Sequence, residues 1–238
     1  SLTKLTNDGR LTIVDPDPQY PVFTGWDIGR SDMTAIWFYQ VVDGSVKFID
    51  FYKDNLKEIE DYCHMLRDKG QKRGFRYGNH WLPHDAKALR MGMGGKTIAQ
   101  QFNDYKAEIK IKDEFDIGQF EGCPKFGKED TIQAARRTFQ VSVFDERYCS
   151  IGFDHLKSYH REYDNEKKVF STNAVHDEHS HPADAMRTVA MTWTHARDHQ
   201  IILSTEAQLL AGSVQNVRFG DLRKQHFRKK RLERANRY

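Results

Sequence analysis

The order of segments in residues 22–82 constrains the fold more than any other feature of the chain. Val22 to Ile28 reads as a strand. Met33 to Val42 is apolar on both faces, as expected of a buried strand. Asp43-Gly44 is a two-residue hairpin signal, and Val46 to Tyr52 is the returning strand. Asn55 is a candidate helix cap, with Glu58 three residues on. Leu56, Ile59, Cys63 and Leu66 follow at helical spacing, and Gly70 is a stop signal. Phe75 to Leu82 then reads as a fourth strand, ending in Pro83-His84-Asp85. A helical crossover after an antiparallel meander lets this strand join the sheet parallel to the first.

The rest of the chain alternates similarly. Residues 1–21 are polar and read as an N-terminal arm with a short edge hairpin at Leu11 to Val14. Thr97 to Tyr105 has helical periodicity, and Ile109 to Ile111 reads as a short strand. Lys128 to Phe139 is predicted helical, Val141 to Phe144 a strand and Glu146 to Lys157 a helix. Tyr159 to Tyr163 and Val169 to Ser171 flank Asp164-Asn165 as a hairpin. Pro182 to His199 is the last helix, with Ala183, Met186, Ala190 and Trp193 on one face. The expected organisation is an arm (1–21), one α/β domain (22–199) and a basic tail (200–238).

Charge narrows the partners. The chain carries +3 overall, but Arg218 to Arg237 holds nine Lys/Arg against Asp221 and Glu233. That stretch is therefore +7 and the remainder of the chain −4. Any basic groove on the domain must be local. No apolar run approaches the ~18 residues of a membrane span, and the first residues lack a signal-peptide pattern. The three cysteines, Cys63, Cys123 and Cys149, are widely spaced with no Cys-x-x-Cys pair. That pattern suits a reducing cytoplasm and argues against a zinc knuckle. The absence of an initiator Met reads as an excised fragment.

Three aspartates have contexts that suit a metal site. Asp27 lies on the Phe23/Gly25 face of the first strand, where an unpartnered carboxylate is costly. Gly29 beyond it permits close approach of a backbone or a phosphate. Asp85 follows the fourth strand, at the strand ends where α/β sheets build sites. If the two strands are neighbours, these carboxylates stand about 4.8 Å apart in the hydrogen-bonding direction. Asp184 opens the last helix behind Pro182, within a run that also holds His176, Asp177, His179 and His181. Those histidines read either as residues of a solvated loop or as metal ligands. Each aspartate also has an ordinary explanation, as a turn or capping residue. Gathered together, three carboxylates need a divalent cation, and hard oxygen donors favour Mg²⁺ or Mn²⁺ over zinc.

Other motifs are weaker. Gly92-Met-Gly-Gly95-Lys96-Thr97 fails as a nucleotide-binding loop because position 90 is Arg90, not glycine. Lys96 either touches a DNA phosphate or starts a helix. Arg136 and Arg137, like Arg30, either grip phosphates or form a solvated face. The basic tail binds DNA or docks a partner. No Ser-His-Asp or Cys-His constellation is evident.

Three segments together resemble the nuclease domain of tailed-phage large terminase subunits, in the RNase H-like superfamily. They are Gly25-Trp-Asp27-Ile-Gly-Arg-Ser-Asp-Met-Thr-Ala35, Leu82-Pro-His-Asp-Ala86, and His176-Asp-Glu-His-Ser-His-Pro-Ala-Asp-Ala-Met-Arg187. The resemblance covers about residues 20–195 and includes the hairpin from Tyr159 to Ser171. It implies an α/β RNase H-like fold, a central mixed sheet of order 3-2-1-4-5 with three antiparallel strands then parallel strands, flanked by helices. It implies that Asp27, Asp85 and Asp184 hold two Mg²⁺ or Mn²⁺ ions, with Asp177 an extra ligand or a residue behind them. The implied activity is endonucleolytic cleavage of double-stranded DNA with little sequence preference, in the bacterial host cytoplasm. Implied partners are the portal protein, the small terminase subunit and a packaging ATPase domain elsewhere in the full-length chain. Competing readings are another RNase H-like nuclease (a junction resolvase or transposase core) and a non-catalytic module that docks DNA or portal.

Overall fold

The computed structural model describes residues 2–29, 32–88, 95–164, 168–175 and 177–195. The expected basic tail, Arg30 and most of the glycine loop before Gly95 lie outside these residues. Strand β1 (Leu11–Thr12) precedes the meander of β2 (Val22–Asp27), β3 (Met33–Val42) and β4 (Ser45–Asn55). Helix α1 (Leu2–Asn7) comes before them, and α2 (Ile59–Arg73) leads to β5 (Tyr77–Leu82). After α3 (Ile98–Asp113) come β6 (Gln119–Gly122), α4 (Lys128–Thr138), β7 (Ser142–Asp145) and α5 (Glu146–Ser158). The hairpin β8 (Arg161–Asp164) and β9 (Val169–Ala174) stands apart from the main sheet. A final helix, α6, occupies residues 180–195.

The main sheet runs β1-β7-β4-β3-β2-β5-β6. Its centre has the expected order, with β5 parallel to β2 and pairing Gly25 with Trp81. At the β3–β4 turn both Asp43 (φ 49°) and Gly44 (φ 80°) are left-handed. That is the type I′ geometry which matches the twist of the flanking strands.

Several expectations need correction. The fifth strand is Gln119–Gly122, not Ile109 to Ile111. The latter continues α3, where residues two apart point to different sides: Ile109 is 2% exposed and Ile111 81%. Helix α2 is capped by Glu58, whose side chain and that of Asp61 form a reciprocal capping box. Asn55 instead ends β4, because the hairpin partner extends that far (Met33 pairs with Asn55). Leu11 to Val14 forms no hairpin. Leu11 and Thr12 pair in parallel with Phe144 and Asp145 of β7, and the Asp145 carboxylate accepts a hydrogen bond from the Val14 amide at 3.1 Å. The N-terminal segment thus extends the sheet.

Each face of the sheet buries its own core. One packs Phe23, Trp37, Tyr39 and Phe48 against α5 and α6. The other packs Trp26, Ile36 and Phe38 against α2 and α3. This three-layer arrangement follows from β3 being apolar on both sides. A buried polar chain ties β2, β5 and the approach to β6 together. Trp26 Nε1 donates to Thr24 Oγ1 at 2.6 Å, and Thr24 Oγ1 lies 2.6 Å from His80 Nδ1. His80 Nε2 meets the Ile117 carbonyl. That carbonyl can only accept, so Nε2 carries the ring hydrogen and Nδ1 accepts from the Thr24 hydroxyl. Burial lowers His80 to about 4, so the ring is neutral near pH 7.

Candidate active site

Asp27 is the last residue of β2, and Asp85 sits three residues beyond β5 in a single 3-10 turn, His84–Lys87. Because β2 and β5 are adjacent and parallel, both residues emerge at the same sheet edge. Helix α6 supplies the third carboxylate from its first turns. Gly25 determines how closely that helix lies: a Cβ there would overlap the Val189 side chain and stand 3.2 Å from the Ala185 carbonyl. The indole of Trp37 also donates to the Pro182 carbonyl at 2.9 Å, pinning the start of α6 to β3.

These elements enclose a cavity of about 410 Å³ lined by Asp27, Asp85 and Asp184. Two of the three carboxylates already have side-chain partners. His181 Nδ1 lies 2.9 Å from Asp27 Oδ2, and this hydrogen bond raises the His181 pKa against the opposing effect of burial. Arg187, one turn along α6, pairs with Asp184. The sequence offers His181 only as a loop residue or a metal ligand; its role here is as a partner of Asp27. The i,i+3 spacing of Asp184 and Arg187 is visible in sequence as a helical neighbour pair.

The cavity also has an apolar lining: Pro83, Cys123, Pro124, Phe126 and Met191. Nothing in the sequence pattern announces it. Cys123 continues the β5–β6 pairing, its amide donating to the Leu82 carbonyl at 2.8 Å. Burial pushes its thiol up to about 11, so it stays protonated.

The remaining candidates fall elsewhere. Asp177 is not among the cavity-lining residues; its carboxylate accepts from the His179 amide at 2.9 Å, and its carbonyl accepts from the Ser180 hydroxyl at 2.7 Å. This is a turn leading into α6. Lys96 is exposed and paired with Asp104 at 2.7 Å. Arg136 and Arg137 are exposed in the last turn of α4, where basic side chains suit the helix dipole.

As a donor set the three carboxylates suit a hard divalent cation. Among the described residues, however, no three Asp, Glu, His or Cys side chains converge as a ready-made ligand group. All three are oxygen donors lining one cavity, so in donor chemistry the residues fit the ion.

No family model matches the chain, and no curated protein matches it in sequence. Solved structures do match. The phage P22 large terminase nuclease domain superposes with a TM-score of 0.53 at 14% identity, covering 77% of this chain and 86% of that one. The fold is that of a large-terminase nuclease domain. The large terminase of a thermophilic bacteriophage agrees, with a TM-score of 0.50 at 14% identity over 76% of this chain. The match covers 42% of that phage protein, so the chain spans under half the length of that terminase. In this terminase-nuclease fold the meander and the crossover to β5 form the frame, and α6 closes one side of the cavity. No helix among the described residues is long and apolar enough to cross a membrane.

Proposed function

We propose that this chain is a metal-dependent endonuclease of double-stranded DNA, the nuclease part of a tailed-phage genome-packaging terminase. The observation that carries the reading is one cavity lined by Asp27, Asp85 and Asp184 at the end of parallel strands β2 and β5. The terminase-nuclease fold supports the same reading.

Asp27, Asp85 and Asp184 would hold two Mg²⁺ or Mn²⁺ ions. Ions bound there supply a hydroxide at neutral pH and stabilise charge on the leaving 3′ oxygen. His181 holds the Asp27 carboxylate in one orientation, as a hydrogen-bonded neighbour of a ligand does. Arg187 does the same for Asp184 and partly offsets the negative charge of the cavity. The portal, small subunit and ATPase domain are the partners of this reading.

Single Asp→Asn changes at 27, 85 and 184 test it by plasmid nicking and linearisation with Mn²⁺. Each should reduce the rate by at least about 100-fold, as loss of a group stabilising transition-state charge does. Wild-type rates in any one variant would remove that residue from the site.

A further inference from the structure

Phe126 is an aromatic side chain left 42% exposed on the wall of a cavity built around carboxylates. A site that needed only a phosphate and its cations would not require a large apolar surface facing them. Here Pro83, Pro124, Phe126 and Met191 line the same cavity as Asp27, Asp85 and Asp184. The volume, about 410 Å³, lies within the range of pockets that enclose whole small molecules. It exceeds what one phosphodiester group needs. In paired B-form DNA the bases face inward and only phosphates and sugar edges reach such a wall.

Resting on the nuclease reading above, we infer that the Phe126 wall receives the sugar and base of a nucleotide that has left the stack beside the scissile phosphate. Phe126 is a positioning residue, stacking on the base and holding the adjoining phosphate over the carboxylates. Any base has a face to stack on, so the contact is indifferent to sequence. Its signature is a preference for DNA that is already unpaired at the cut, where the cost of unstacking is absent.

The test compares one duplex in two forms, fully paired and with a short central bubble of mismatches, using the whole chain. Affinity is read by fluorescence anisotropy with Ca²⁺, and cleavage in parallel with Mn²⁺. Wild type should prefer the bubble by on the order of tenfold in both, the size expected of one base–aromatic stack. Phe126→Ala should lose that preference while Phe126→Trp retains it. Phe126 belongs to neither buried core, and circular dichroism of each variant checks that its truncation leaves the fold intact. Equal handling of both DNAs by wild type, or an undiminished preference in Phe126→Ala, overturns the inference while leaving the nuclease reading intact. Absence of Mn²⁺-dependent cleavage of either DNA by wild type overturns the nuclease reading itself.

Discussion

His181 shows how a residue acquires a role from its partner. Its ring nitrogen lies 2.9 Å from Asp27, and its pKa is raised because that carboxylate favours the charged ring. In sequence it is one of several histidines in a short run, with nothing to set it apart. Replacing it with alanine frees Asp27 to rotate, so cleavage should fall by about 10- to 100-fold, the usual effect of losing a ligand's supporting partner. The loss should be reduced at higher Mn²⁺, because the defect is in presenting a ligand. A loss unaffected by Mn²⁺ concentration would mean that His181 acts some other way. Asp27, Asp85 and Asp184 were legible one at a time, each from its place at the end of a strand or the start of a helix. Phe126 was not, because an aromatic residue in a loop carries no periodic signal. Asp50 was also missed. It is 2% exposed and held by Arg73 at 2.6 Å and Lys69 at 2.7 Å. These partners, 23 and 19 residues away, come near only through the packing of α2 on β4.

At the scale of elements, the seating of α6 on β2 places Asp184 in the cavity. Gly25 permits that contact, since any Cβ there meets Val189 and the backbone near Ala185. A Gly25→Ala change should destabilise the fold by about 1–3 kcal/mol, the usual cost of overpacking. It should also cut activity more than its thermal shift accounts for, because a displacement of about 1 Å at a reacting centre can cost 100-fold. Differential scanning calorimetry alongside plasmid cleavage separates the two effects. Full activity in a stably folded Gly25→Ala protein would show that α6 need not sit so close. The element boundaries explain where the sequence reading failed. Ile109-Lys-Ile111 alternates over three residues, too short a span to distinguish a strand from a helix. The true strand, Gln119-Phe-Glu-Gly122, contains no β-branched residue and takes its place by pairing with β5.

Over the whole molecule, the two sheet faces are cores of unlike character, and the buried Trp26-Thr24-His80-Ile117 chain crosses the strands that carry the site. Burial holds His80 near 4, below its unfolded value of 6.5. The unfolded chain therefore takes up a proton first as the pH falls. The stability this group contributes is complete above pH 6.5 and is lost progressively down to about 4. Denaturant midpoints should decline through that window, by on the order of 2–3 kcal/mol at its lower end. A His80→Gln protein, less stable at neutral pH, should lack this part of the slope; an equally steep slope would assign it to other groups. The local pattern of the chain was enough for the meander, its Asp43-Gly44 turn and the crossover to a fourth strand, because hydrophobic period and turn chemistry act over a few residues. It also marked three carboxylates, at two strand ends and a helix start. Only the tertiary structure decided that β7 and β1 extend the sheet beyond β4, that His181 engages Asp27, and that apolar residues line the same cavity. These depend on contacts between residues up to 154 apart in the chain, such as His181 and Asp27, and no local periodicity encodes which distant surfaces will meet.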